Sequence, residues 1–167
     1  MRLEDELNSL NKVHDLLNIS SIATDFVTSI CGSWIGSGAF RSVYDYNLDN
    51  RYVVKIEPLS TNCNLVEHMI WNEVSYLRGK LAWVKDWFAP CSWISPNGKI
   101  LIMRKTKQIE SRDKPEKVPA FLWDVKDDNF GWIGKKFVCH DYGQFYNFIH
   151  YKKKMNKTKW WSDSKWI

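Results

Sequence analysis

Long apolar segments are missing from this sequence. No uninterrupted apolar run reaches the roughly 18 residues that a membrane-spanning helix needs. The first six residues, Met1 to Glu6, include three acids and lack the apolar stretch of a secretory signal peptide. These absences predict a soluble, cytoplasmic protein with no membrane partner.

Cysteine is scarce and has no metal-binding spacing. The four cysteines lie far apart and form no CxxC pair, and the four histidines are equally scattered. In a chain without a secretion signal this pattern favours buried thiols over disulfides or zinc ligands. The cysteines concerned are Cys31, Cys63, Cys91 and Cys139.

A basic excess is missing from most of the chain. The residues before Tyr151 carry equal numbers of acidic and basic groups, and the net charge of +5 arises after that point. The pI of about 9.0 therefore does not indicate a nucleic-acid-binding domain. Lys152-Lys153-Lys154 and Trp160-Trp161 could suit a nucleic acid. A solvated tail, or one whose tryptophans pack back onto the domain, is the favoured interpretation, so nucleic acid is not an expected partner.

Two helices are predicted at the start of the sequence. Leucines at helical spacing from Leu3 to Leu17 predict an amphipathic helix over about residues 3–18. A second short helix is predicted over 22–31. Together these elements form an N-terminal helical segment, residues 1–31.

The middle of the chain combines strands with one main helix. Alternating β-branched and aromatic residues predict three strands between residues 34 and 56. Apolar residues at helical spacing predict a helix over about 62–78. The turn signal Ser95-Pro96-Asn97-Gly98 predicts a hairpin of strands 88–94 and 99–103. The pattern predicts an α+β fold with a five-stranded antiparallel sheet.

The last third of the chain is predicted to be mostly irregular. Residues 104–119 are charged or proline-rich and predict a connector. A short hairpin is predicted about Gly134, followed by a helix over 145–155 and a loose basic end. The predicted domain therefore spans residues 32–144, and a basic, Trp-rich segment spans 145–167.

Glycines and a strand lysine indicate a phosphate site. Gly36-Ser37-Gly38 lies between two predicted strands, where glycines let the backbone approach phosphates and donate N–H groups. Arg41 stands where a third glycine would complete GxGxxG. Lys55 ends an apolar strand, and a buried ammonium needs an anionic partner. Glu67 and Glu73, in the next helix, are both candidates.

Carboxylates and an amide flank the second hairpin. Asp124 lies five residues before Asn129, and Asp141 follows the hairpin. Phosphoryl transfer needs a carboxylate to position the attacking hydroxyl and oxygen ligands for Mg²⁺. Along the chain, Asp124, Asn129 and Asp141 follow the glycine turn and the strand lysine in this order. The presence of all these residues in one order favours a nucleotide-dependent phosphotransferase.

These segments resemble the protein-kinase superfamily over residues 34–143. Asp124–Asn129 is similar to the catalytic loop D-L-K-P-E-N, Asp141-Tyr142-Gly143 to D-F-G, and Tyr52–Lys55 to V-A-I-K. The resemblance is closer still to the minimal kinase-like proteins of bacteriophages and prophages, which are described as serine/threonine kinases. The segments that carry it are Asn64-x-x-Glu67-x-x-x-Trp71, Phe88-Ala89-Pro90-Cys91 with Ile94-Ser95-Pro96, and Val118–Gly131.

The resemblance implies a kinase-like fold with a strongly reduced C-lobe, ATP and Mg²⁺ as cofactors, and a phage or host protein as acceptor. The nucleotide-binding residues it implies are Gly36, Ser37, Gly38, Val43, Lys55, Glu67 and Met103, with Glu67 preferred over Glu73 as the partner of Lys55. Asp124 would orient or deprotonate the acceptor hydroxyl, with Lys126 and Lys55 also catalytic. Asn129 and Asp141 would hold Mg²⁺.

The sequence also departs from the kinase pattern. Leu122-Trp123 replaces the His-Arg before the catalytic Asp, and few residues follow Gly143. The helical lobe that seats a peptide substrate is therefore almost absent. An alternative stays open, in which a catalytically weak or inactive kinase-like module works by binding a host partner protein.

Overall fold

A computed structural model describes residues 20–108, 114–145 and 153–161. The chain divides into two compact units. The sheet unit contains the described residues up to Asn64 and Cys91–Arg104, and the hairpin unit contains Leu65–Pro90 and those from Lys105 onward. The helix predicted over residues 3–18 lies outside the described residues.

Two helices and nine strands make up the regular structure of the described residues. The helices are α1 (Ser20–Ile30) and α2 (Cys63–Tyr76). The strands are β1 (Cys31–Ser37), β2 (Ser42–Tyr46), β3 (Tyr52–Ile56), β4 (Cys91–Ile94), β5 (Ile100–Arg104), β6 (Lys117–Pro119), β7 (Phe130–Ile133), β8 (Lys136–Cys139) and β9 (Met155–Lys157). None of the helices among these residues is both long and apolar enough to cross a membrane.

The sheet unit is built on a five-stranded antiparallel sheet in the order β1-β2-β3-β5-β4. The predictions of this sheet and of an α+β fold are confirmed. The predicted helix over 62–78 is α2, and the one over 22–31 is α1, which begins slightly earlier. Strand β4 starts later than predicted, at Cys91, because Pro90 has no N–H to donate to a strand ladder.

Helix α1 packs on one face of this sheet. Ile30 of the helix forms an apolar cluster with Val54 and Ile100, and each of the three is at most 4% exposed. Side chains alternate between the two faces of a strand, so Lys55 points to the face opposite α1. Val53, two residues from Lys55, shares that opposite face.

Aromatic contacts hold the core of the hairpin unit. The Phe88 ring packs edge-on against Tyr142 at 5.0 Å between centroids and stacks on Phe121 at 5.8 Å. Tyr142 is fully buried, and its hydroxyl donates to the Ala89 carbonyl at 2.7 Å. The predicted hairpin about Gly134 is confirmed as β7 and β8.

Two predictions for the last third of the chain are wrong in part. Residues 104–119 are not all connector, because β6 lies within them, and Arg104 ends β5. Residues 153–155 are not helical, and Met155 begins β9, which pairs with β6. The rest of that predicted helix, from 146 to 152, lies outside the described residues. The four cysteines are free thiols, of which Cys31 alone is not fully buried.

Gly131 gives a direct test of packing in the hairpin unit. A Cβ added there would lie 2.6 Å from the Lys107 carbonyl oxygen and 2.7 Å from the Thr106 side chain. We therefore expect Gly131→Ala to lower the free energy of unfolding by about 1–3 kcal/mol, measured by urea unfolding. Gly36→Ala is the control, since a Cβ at Gly36 meets nothing within 4 Å. Equal stability of the two variants would contradict the packing.

Candidate phosphotransfer residues

Lys55 lies in the centre of the sheet unit. It is 4% exposed, and its neighbours in register are Val43 on β2 and Leu101 on β5. Met103 pairs with Val53 and therefore lies on the same face as Lys55. The sheet thus brings together three of the predicted nucleotide-binding residues, Val43, Lys55 and Met103. In this arrangement the Lys55 side chain lies between apolar side chains.

The predicted glycine segment forms the turn between β1 and β2. Strand β1 ends at Ser37, and the Gly38 N–H donates to the Arg41 carbonyl at 2.9 Å, which closes the turn. Ser37 and Gly38 are exposed. A Cβ built at Gly36 or Gly38 meets nothing within 4 Å, so a ligand can approach this backbone closely.

Sequence reasoning missed a polar cluster around Asn64, which is fully buried at the start of α2. Its side-chain nitrogen donates to the carbonyls of Lys55, at 3.3 Å, and Gly98, at 3.1 Å. Its side-chain oxygen accepts a 3.4 Å hydrogen bond from Arg41, the residue that replaces the third glycine. The cluster therefore ties the Lys55 strand to the start of α2. Its sequence signal was Asn64 in the Asn64-x-x-Glu67 pattern.

Glu57 caps the same helix. Its carboxylate accepts from the Asn64 N–H at 2.8 Å and from the Thr61 hydroxyl at 2.9 Å. Burial acts to raise the pKa of Glu57, but these hydrogen bonds outweigh it, and the pKa is lowered. Glu57 is therefore ionised at neutral pH, which suits a carboxylate at a helix N-terminus.

Helix α2 carries an acid in its buried stripe. Cys63, Ile70 and Val74 are buried at helical spacing, and Glu67 lies among them with no exposed surface. Glu73, the other candidate, is exposed. A buried carboxylate needs hydrogen-bond donors, and the Tyr142 N–H, next to Asp141, donates to Glu67 at 3.0 Å. The pairing of Lys55 with Glu67 stays a prediction.

The hairpin unit brings Asp124, Asn129 and Asp141 together. The Asn129 side-chain nitrogen donates to the Asp124 carboxylate at 2.8 Å. The Asn129 carbonyl accepts from the N–H groups of His140, at 2.8 Å, and Asp141, at 3.3 Å. Asp141 itself is exposed, whereas Asn129 is 8% exposed. Hydrogen bonds therefore link the segment before the β7–β8 hairpin to the segment after it.

Lys126 lies on the same loop, one residue before a single turn of 3₁₀ helix, Asp127–Asn129. Its ammonium lies 3.7 Å from the Asp128 carboxylate and 5.5 Å from the centre of the Trp161 ring. Both contacts hold the Lys126 side chain close to its own segment and to Trp161.

His140 is a second residue that sequence reasoning missed. Its Nε2 lies 2.8 Å from the Asp128 carbonyl oxygen, and its Nδ1 lies 2.9 Å from the Thr106 hydroxyl. Because a carbonyl only accepts, Nε2 carries a proton. The ring therefore holds the 127–129 turn against the segment that carries Asp141. Its position directly before Asp141 was the available signal.

No protein-family model matches the sequence, and no curated protein matches it either.

Proposed function

We propose that this protein binds ATP with Mg²⁺ and transfers the terminal phosphoryl group to a hydroxyl of a protein, as a minimal serine/threonine-type kinase of phage origin. The observation that carries the proposal is the network of Asp124, Asn129 and Asp141. Asp124 and Asn129 are joined through their side chains, and Asp141 is joined to Asn129 through its backbone N–H. The Glu67 carboxylate accepts from the N–H of the residue after Asp141. The contact between Glu67 and Tyr142 spans 75 residues, which a turn rich in Asp and Asn does not by itself produce.

The residues of the hairpin unit fit a magnesium ion. Mg²⁺ prefers carboxylate and carbonyl oxygens, and Asp141 and Asn129 supply one of each kind. Because the Asn129 nitrogen donates to Asp124, its amide oxygen is the atom that remains to bind a cation. When bound with ATP, the ion would neutralise charge on the phosphates.

The resemblance to protein kinases suggests the role of each residue in the proposed reaction. In the sheet unit, Lys55 would bind phosphate oxygens, the backbone of Gly36, Ser37 and Gly38 would cover the phosphates, and Val43 and Met103 would contact the base. In the hairpin unit, the Asp124 carboxylate orients the acceptor hydroxyl and takes its proton. The hydroxyl oxygen then bonds to the γ-phosphorus, the bond to the β-phosphate oxygen breaks, and ADP leaves.

Ligand-induced stabilisation tests nucleotide binding. We expect Mg²⁺ with ATP to raise the Tm, because a ligand of the native state stabilises it by about 2.7 kcal/mol at 100 times its Kd. Asp141→Ala should remove most of this rise by deleting a metal ligand. The measurement is thermal unfolding with ATP, with and without Mg²⁺.

Asp128→Ala is the matched control for this experiment, since Asp128 is an exposed carboxylate on the neighbouring turn. It should keep the ATP-dependent rise. An unchanged Tm of the wild-type protein at millimolar ATP would contradict the proposal and favour a module that binds a partner protein without nucleotide.

A further inference from the structure

The hairpin unit exposes a basic ribbon, which we define as residues 115–119 and 153–159. It contains β6 and β9, and its only acid is Glu116. Its exposed lysines are Lys117, Lys153, Lys154, Lys157 and Lys159. Positive charge is therefore concentrated on one two-stranded element, although the chain before residue 151 is electrically balanced.

Two of these lysines face each other. Lys117 and Lys157 are direct partners across the β6–β9 pair, and like charges in that position destabilise a strand pair. Neither lysine has an ion-pair partner among residues 20–108, 114–145 and 153–161. Local arrangements that oppose stability concentrate at functional sites, and this one is suited to a ligand of negative charge.

Both strands of the basic ribbon are tied to the loop that follows Asp124. Just before the ribbon, Lys114 forms an ion pair with Asp127. Just after it, the Trp161 carbonyl accepts from the Asp127 N–H at 2.8 Å, and the Trp161 N–H donates to the Val125 carbonyl at 3.4 Å. Lys157 precedes Trp161 by four residues, a span of at most about 14 Å. An extended peptide covers that distance in about four to six residues.

The aromatic side chains near the ribbon disfavour a nucleic acid. Base stacking on a protein needs open aromatic faces. Trp160 packs edge-on against Phe130, at 5.2 Å, and Phe137, at 5.6 Å. Trp161 is 47% exposed, but the Lys126 ammonium lies over its ring. The ribbon itself contains no aromatic residue, so it offers ammonium groups without a stacking platform of its own, which favours the carboxylates of a peptide.

We propose that the basic ribbon docks an acidic segment of the acceptor protein, with acidic residues within about six positions of the hydroxyl that receives phosphate. The acceptor role rests on the proposed phosphotransfer, whereas the binding of an acidic peptide does not.

Binding is measured first, by fluorescence anisotropy in low salt. The probes are a labelled peptide with one serine flanked by glutamates, the same peptide with glutamines, and a labelled thymidine oligonucleotide. We expect the glutamate peptide to bind most tightly and to lose affinity as salt rises. The double variant Lys117→Gln, Lys157→Gln should weaken it about tenfold or more. Lys135→Gln, an exposed lysine of the β7–β8 turn, is the matched control.

The other binding results overturn the proposal. Preferential binding of the oligonucleotide, lost in the double variant, would make the ribbon a nucleic-acid site. Failure of all three probes to bind, or equal binding by the double variant and the wild type, would remove the ribbon as a docking surface.

Turnover then separates the inference from the proposed function. The double variant should raise the KM for the glutamate peptide and leave kcat unchanged, because the ribbon does not contact the reacting atoms. Equal kcat/KM for the glutamate and glutamine peptides would refute the acceptor role while phosphotransfer stands. Peptide binding without any phosphate transfer would refute the proposed function and retain the ribbon as a peptide-binding surface.

Discussion

Asp124→Asn should reduce phosphotransfer by about 100-fold or more and leave the stabilisation by Mg²⁺ and ATP close to that of the wild type. The amide can still accept the hydrogen bond from Asn129, so the loop keeps its shape. It cannot take the proton of the acceptor hydroxyl at neutral pH. The measurement is transfer of radiolabelled phosphate to a lysate or a peptide, together with thermal unfolding.

Asparagine is a better replacement here than alanine. Asn129 is 8% exposed, and Asp124→Ala would leave its side-chain nitrogen without this acceptor, a loss of about 1–3 kcal/mol. Such a loss would act on Asn129, a proposed metal ligand, so a lower transfer rate in Asp124→Ala would not report on the carboxylate alone. Asp86→Asn, at an exposed carboxylate of the hairpin unit that pairs with Lys136, is the control and should transfer phosphate at the wild-type rate.

A full rate in Asp124→Asn would remove Asp124 from the proposed mechanism. A second result would be equally informative. If Asp124→Asn and Lys55→Met both retained the cellular effect of the protein, the effect would come from a binding surface, as the alternative of a kinase-like partner-binding module requires.

Trp160→Ala should lower the free energy of unfolding by about 2–3 kcal/mol, whereas Trp161→Ala should change it by less than about 1 kcal/mol. The Trp160 ring packs against Phe130 and Phe137, and its Nε1 donates to the Pro115 carbonyl at 3.0 Å. Truncation therefore removes apolar contact and one hydrogen bond to the Pro115 carbonyl, which keeps the Thr158 hydroxyl as a donor. Urea unfolding of both variants gives the comparison.

The adjacent tryptophan is a close control because it has the same side chain in the same strand-like segment. Trp161→Ala removes the contact of the ring with the Lys126 ammonium, and the side chain it truncates is 47% exposed. This substitution should alter peptide binding or phosphate transfer more than it alters the free energy of unfolding. Equal destabilisation by the two substitutions would contradict the assignment of Trp160 to the core of the hairpin unit.

Much of the sheet unit could be predicted because its signals are local. Alternation over Tyr52–Ile56 and the Pro96-Asn97-Gly98 turn lie within short stretches of chain, and hydrophobic periodicity reports such elements directly. The order of Asp124, Asn129 and Asp141 about a hairpin was also readable. A tight turn brings the two ends of the hairpin together whatever surrounds it.

Pairings distant in the chain could not be predicted in this way. The β6–β9 pair joins segments separated by more than 30 residues, and β6 is only three residues long and ends in proline. The helix predicted over 145–155 was favoured by composition. Lys153 and Lys154 are instead irregular and Met155 begins the ladder with β6, because tertiary contacts override weak propensity.

The sequence by itself determined the α+β class, the five strands and the candidate residues, since periodicity, turn chemistry and motif order are properties of neighbouring residues. Only the tertiary structure decided which acid of α2 is buried, because Glu67 and Glu73 both flank apolar positions and differ in what packs against them. It also decided that Trp160 is partly buried against aromatic rings of the hairpin unit and that Trp161 is exposed. Burial is a property of the whole surrounding fold, and two identical side chains in adjacent positions carry no local signal that separates them.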